Sequence, residues 1–192
     1  MKKLSQVEQE NIVGLLMEAL SDEWKAMLQY QIHASRMRGL HGGGIAEHLE
    51  EHAEDERAHA ERLTKHFYSH DLPIEINIPQ FNPGNDTIEM IQLDLEGEIE
   101  AIDRYTKIAE LCEDIPELTD TRILIEDILI DEVEHQDENA SFIKAKIEEK
   151  TDNFSGTERV SLASSLIKAA DVVDVLGLEE FADRYTKIAA EI

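Results

Sequence analysis

The chain has 192 residues, enough for one domain with a sizeable core and an appendage, and its 42% apolar content is that of a folded protein rather than a disordered acidic one. Its 43 acidic and 18 basic residues give a net charge of -25, which argues against nucleic acid or an anionic membrane as partner. That charge suits cations as cargo and equally a well-solvated acidic exterior, while the single cysteine, Cys112, excludes an internal disulfide framework and fits a reducing compartment.

In chain order, Met1 to Gln6 leads into glutamates rather than a continuous apolar run, so no signal peptide is read there and the cytoplasm is the expected location. Ser5-Gln6-Val7-Glu8 has the form of a capping box and starts a first helix. Its seam, Ile12, Leu16, Ala19, Glu23, Met27, Tyr30, Ala34 and Met37, advances in steps of three and four. The apolar patch from Ile12 to Leu20 is broken by Gly14 and Glu18, so no bilayer span is expected. Gly39-Leu40-His41-Gly42-Gly43-Gly44 ends this helix and permits a tight reversal. A second helix is predicted from Ile45 to Tyr68, with the seam Ile45, Leu49, Ala53, Glu56, Ala60, Leu63 and Phe67.

The next stretch, Ser69 to Asn85, holds Pro73, Pro79, Pro83 and Gly84 and has no helical period. Seventeen such residues exceed what adjacent antiparallel helices need and suit a connection that travels the length of a bundle. Ile74, Ile76 and Ile78 alternate as in a short strand; the preferred reading is an extended crossover whose isoleucines pack on the bundle. Asp86-Thr87-Ile88-Glu89 is a second capping box. The third helix that follows has the seam Ile88, Ile91, Leu95, Glu98, Ile102, Tyr105, Ala109 and Cys112, and of its neighbouring glutamates Glu96, Glu98 and Glu100 only Glu98 lies on it. Pro116 suits the first turn of a fourth helix, running to about Lys150 with the seam Ile125, Ile128, Glu132, His135, Asn139 and Phe142. After a linker at 151–156, a tail over 157–192 reads as two short amphipathic helices joined at Gly177. Asp183 to Ala189 repeats Asp103 to Ala109 residue for residue, which is read as coincidence between two amphipathic helices.

The chemistry lies on those seams. Each of the four long helices carries a glutamate there: Glu23, Glu56, Glu98 and Glu132. The second and fourth add His59 and His135, each three residues after its glutamate and so on the same helix face. Charged groups on a core face are costly unless paired or bound to metal. Glu-x-x-His pairs arise by chance in a chain this rich in Glu and His; their placement on alternate helices, with partner glutamates at matching depth, is the specific feature. Four carboxylates balance two ferrous ions, neutral imidazoles complete the set, and mixed oxygen and nitrogen ligands suit iron or manganese. Binding would stabilise the fold. The bland alternative is a buried polar cluster without metal.

The segments Asp22-Glu23-Trp24 through Gln29-Tyr30 and His33-Ala34, Glu56-Arg57-Ala58-His59-Ala60, Glu89-Met90-Ile91 through Asp94-Leu95 and Glu98, and Asp131-Glu132-Val133-Glu134-His135 resemble the four helical segments of the ferritin-like superfamily, bacterioferritin above all. The resemblance covers about residues 5 to 150. It implies an all-α, ferritin-like four-helix bundle with a long crossover between the second and third helices, followed here by a helical hairpin. It also implies a di-iron centre with Glu23, Glu56, His59, Glu98, Glu132 and His135 as ligands and Glu56 and Glu132 as bridges. Tyr30 matches a tyrosine that can supply an electron, and is otherwise a core aromatic.

The activity so implied is ferroxidase chemistry serving iron storage: two iron ions per subunit, Fe²⁺ oxidised to Fe³⁺ by O₂ or H₂O₂, in a homo-oligomer that can form a cage. Manganese or zinc could take one position. Haem is not expected, because Arg57 stands where bacterioferritin has its haem-binding methionine. Ala101 replaces the extra glutamate of rubrerythrin, which disfavours peroxidase chemistry of that kind. Two rivals remain open: a di-iron or iron-manganese oxidase acting on an organic substrate without a cage, and a non-enzymatic bundle whose tail recruits partners.

Among the other histidines, His48 and His52 are spaced to share a metal, with Glu51 and Asp55 nearby where bacterioferritin has an inner-surface site, but are read as a solvated polar face. His66 and His70 straddle a helix end and are read as surface residues, and Cys112 as packing rather than ligand.

Overall fold

The computed structural model describes residues 6–38, 43–149 and 155–191. These form six α-helices: α1 (Gln6–Arg38), α2 (Gly43–Ser69), α3 (Thr87–Cys112), α4 (Thr119–Glu149), α5 (Gly156–Val175) and α6 (Glu179–Glu191). The first capping box and the glycine-rich reversal fall partly outside the described residues. Pro116 opens a 3-10 turn, Pro116–Leu118, rather than α4 itself, which begins at Thr119. No strand occurs among the described residues, so the strand option at Ile74 to Ile78 lapses. No described helix is long and apolar enough to cross a membrane.

The chain divides into two compact units, Met1–Asn82 with Asp103–Asp131, and Pro83–Ile102 with Glu132–Ile192. In the first, α1 lies along α2, and most of the predicted seam is buried: Leu16, Tyr30 and Met37 from α1, Leu49, Leu63 and Phe67 from α2, with Leu20 buried beside the α1 seam and the seam residues Met27 and Ile45 only half-buried. Arg104 donates to Glu18 at 3.0 Å and to Asp22, and Arg62 to Asp127. Helix α2 ends in a Schellman turn. Leu72 N–H reaches the Phe67 carbonyl at 3.0 Å and Asp71 N–H the Tyr68 carbonyl at 3.4 Å, with Asp71 in the left-handed region at φ 52°.

The crossover corrects one expectation. Ile74, Ile76 and Ile78 are 42%, 43% and 47% exposed, so they do not pack into a core. The backbone supplies a tether instead, Asn77 N–H donating to Ser21 Oγ at 3.1 Å. Alternate residues of an extended segment share one side, and here that side is left partly exposed.

In the second unit, Asp86 caps α3 as predicted, its Oδ1 accepting from Ile88 N–H at 2.9 Å and Glu89 N–H at 3.0 Å. Glu89 reaches back one residue further than the simplest capping box, to Asn85 N–H at 2.8 Å. Gly84 is required by space as well as by its φ of 67°, since a Cβ there would stand 2.6 Å from Met90 Cγ.

Helix α5 buries Leu162, Leu166, Ala169 and Val173. It is hydrogen-bonded to α3 through Gln92 Nε2 to Ser161 at 2.8 Å and Ser165 Oγ to Glu96 at 3.1 Å, and to α4 through Gln136 Nε2 to the Ala169 carbonyl at 3.3 Å. Gly177, at φ 74°, turns the chain into α6 through a second Schellman turn. On α6, Arg184 donates to Asp137 at 2.6 Å and to Ser141 at 2.7 Å, and Tyr185 and Ile188 are buried.

The repeated heptapeptide is therefore used twice in one way. In each copy the arginine bridges two acceptors four residues apart on another helix, Glu18 and Asp22 or Asp137 and Ser141, while the tyrosine and isoleucine go inside. The two copies thus share a docking role as well as a sequence.

If α5 is part of the second unit's core, Leu166→Ala should cost about 2–5 kcal/mol in urea unfolding, whereas Val160→Ala should stay within about 0.5 kcal/mol. The contrast follows from burial, Leu166 being fully buried and Val160 71% exposed.

Candidate metal centre

The seam positions put six potential ligands inside the protein. Glu23, Glu56, His59, Glu98, Glu132 and His135 are all between 1% and 5% exposed. Their sequence neighbours show how helical phase selects them: Glu96 is half-buried, and Glu100 and Glu134 are exposed.

In the first unit, Glu23, Glu56 and His59 each offer a ligand atom within 4.8 Å of the others. His59 Nδ1 lies 3.3 Å from Glu23 Oε2 and 3.4 Å from Glu56 Oε2. Its other nitrogen, Nε2, is 3.0 Å from Asp131 Oδ2. A carboxylate at Nε2 suits a proton on that nitrogen, which would leave the Nδ1 lone pair for a cation held by the two glutamates, the usual way an outer carboxylate orients a metal-binding histidine. Tyr105 holds the opposite side of Glu23, its hydroxyl donating to Oε1. In the second unit, Glu98, Glu132 and His135 likewise offer ligand atoms within 4.8 Å of one another.

Each trio fits a divalent first-row transition ion. Bonds of about 2.1 Å place ligands on opposite sides of such an ion about 4.2 Å apart, so small side-chain movements close either set. Two carboxylates neutralise one dication, the imidazole adds no charge, and this donor mix suits iron, manganese or zinc. Without a cation, buried carboxylates of this kind cost several kcal/mol each.

Asp131 and Tyr105 were not read as site residues from the sequence. Asp131 adjoins Glu132 and Tyr105 lies on the α3 seam, but neither role is visible until helices are brought together. Tyr30 is buried, about 10 Å along α1 from Glu23 at 1.5 Å per residue, and its ring meets His52 edge-on at 5.1 Å. That contact corrects the reading of His52, which is buried against an aromatic rather than solvated. His48 is exposed and pairs with Glu51 at 3.5 Å, and Glu51 and Asp55 are both exposed. Arg57 pairs with Glu54 and Glu61 on the outside of α2. Cys112 is buried, burial pushes its thiol up to about 11, and it joins no ligand group among the described residues.

The family model of the ferritin-like domain matches residues 13–146, leaving the tail beyond it. Bacterioferritin from Mycolicibacterium paratuberculosis is 32% identical over 127 residues, covering 66% of this chain and 79% of that protein. Bacterioferritin from Streptomyces coelicolor is also 32% identical over 127 residues, covering 66% of this chain and 75% of its own length. Among solved structures, Mycobacterium tuberculosis bacterioferritin BfrA superposes with a TM-score of 0.67 at 25% identity, covering 74% of this chain and 89% of that one. The fold is accordingly an all-α, ferritin-like four-helix bundle followed by a helical hairpin, and the chain belongs to the ferritin-like domain family.

Proposed function

We propose that the two trios act together as one dinuclear ferroxidase centre, and that the protein oxidises Fe²⁺ to Fe³⁺ for iron storage. The observation that carries this reading is the pair of buried Glu/Glu/His sets, one in each unit, at the seam positions of α1 to α4. Fe²⁺ is the substrate. Each ion gives one electron to O₂ or H₂O₂, and the ferric product is retained as stored iron. Membership of a family whose similar proteins are bacterioferritins supports iron as the metal and a homo-oligomer, in cage form, as the assembly.

The residues divide the work. Glu23, Glu56, Glu98 and Glu132 would hold the two ions as carboxylate ligands, and His59 and His135 as neutral ones. Asp131 keeps the His59 Nδ1 lone pair turned inward. Tyr105 ties one oxygen of Glu23 and leaves the other for the ion. Burial strengthens every charge interaction in the site and excludes competing ligands. Tyr30, buried on the α1 seam, would supply an electron.

Replacing Glu56 and Glu132 with Ala should abolish rapid Fe²⁺ oxidation in stopped-flow absorbance, and an unchanged rate would eliminate the centre. Asp131→Asn should weaken metal affinity by about 10–100-fold while the protein still folds, as expected for loss of an orienting carboxylate. Solution mass tests the assembly: a shell of many copies runs at several hundred kilodaltons on size-exclusion chromatography with light scattering, and a monomer or dimer there would refute the cage.

A further inference from the structure

A second cluster of ligand-type side chains lies at the far end of α2. His66, His70 and Asp120 each offer a ligand atom within 4.8 Å of the other two. His66 and His70 are one turn apart, their ring centroids separated by 4.4 Å at 42°. His70 Nε2 lies 2.6 Å from Asp120 Oδ2, and His66 Nε2 lies 3.1 Å from Thr121 Oγ1. We propose that His66, His70 and Asp120 form a mononuclear site for a divalent first-row transition ion, distinct from the buried trios.

Two features favour a site over a surface ion pair. The ion pair of His70 with Asp120 is joined by the His66 imidazole within ligand distance, and two imidazoles and one carboxylate on a common side are a familiar donor set for Zn²⁺ and Fe²⁺. The ligands are held in place by their surroundings. His70 is the last residue before the left-handed Asp71 in the Schellman turn, His66 is braced by Thr121, and Asp120 sits in the first turn of α4.

The site can fill directly from solvent. The side chains of His70 and Asp120 are 39% and 57% exposed, while His66 is only 9% exposed and forms the inner wall. A cavity of about 230 Å³ lined by His66, His70, Gln9, Leu16, Glu117 and Thr121 leaves room for water to complete the coordination. A bound ion would join the end of α2 to the start of α4, two elements far apart in the chain, and should act first as a clamp.

The test is calorimetric titration of Zn²⁺ into the metal-free full chain. The parent should take up one more equivalent per chain than either His70→Ala or Asp120→Ala, both of which change exposed side chains. The Glu56→Ala/Glu132→Ala variant should keep that equivalent, and at a hundredfold excess over its Kd, Zn²⁺ should raise its melting temperature by about 5–10 °C. Adding His70→Ala to that variant should remove the shift. Equal stoichiometry in the parent, His70→Ala and Asp120→Ala proteins would overturn the site and leave only the ion pair. That comparison stands by itself if the double variant does not fold.

Discussion

Burial of carboxylates on apolar helix faces is the constraint around which this chain is built. A glutamate in the middle of a packing seam forfeits several kcal/mol of hydration, and each of the four long helices accepts that cost at one glutamate, α3 burying Asp94 besides. The compensation within each unit is of the same kind: a second carboxylate, an imidazole and ligand atoms close enough for one cation. Helical phase then does the selecting, because displacement by two positions carries Glu100 or Glu134 round to solvent. The apolar residues flanking each glutamate keep water away from it, so the packing that holds the helices together also sharpens the electrostatics of the site.

Support for that arrangement comes from groups outside the ligand set. Asp131 is half-exposed and His59 buried, so the carboxylate that orients the ring is itself in contact with water. Tyr105 does the complementary work from α3, binding Glu23 from inside. Neighbouring positions serve different ends in the same short stretch: Arg104 pairs with Glu18 and Asp22 on the outer side of α1, one residue before Tyr105 turns inward. A single turn of α3 thus fixes both the docking of α1 and the aim of its glutamate.

What was legible in the sequence was whatever a single helix can encode. The period of three and four placed Glu23, Glu56, Glu98 and Glu132 on buried faces and picked Glu98 out of three candidates. The Asp86 cap and the Gly177 turn were readable because their chemistry is local. What was not legible depended on distances between elements. Tyr105 and Asp131 acquire their roles from α1 and α2, and His52 looks like a surface histidine until Tyr30 is set beside it. Ile74, Ile76 and Ile78 show the opposite failure, since alternation marks a shared side without saying whether anything covers it. His66 and His70 were visible as a pair, but the carboxylate that makes them a candidate site comes from α4.

The heptapeptide shared by α3 and α6 bears on the order in which the molecule is put together. One docking word with two addresses is ambiguous, because nothing in Asp-Arg-Tyr-Thr-Lys-Ile-Ala distinguishes the α1 acceptors from those on α4. Synthesis from the N-terminus resolves the ambiguity by timing: α1 meets Asp103 to Ala109 before α6 has left the ribosome. A chain released all at once from denaturant would present both copies together, with only their flanking residues to tell them apart.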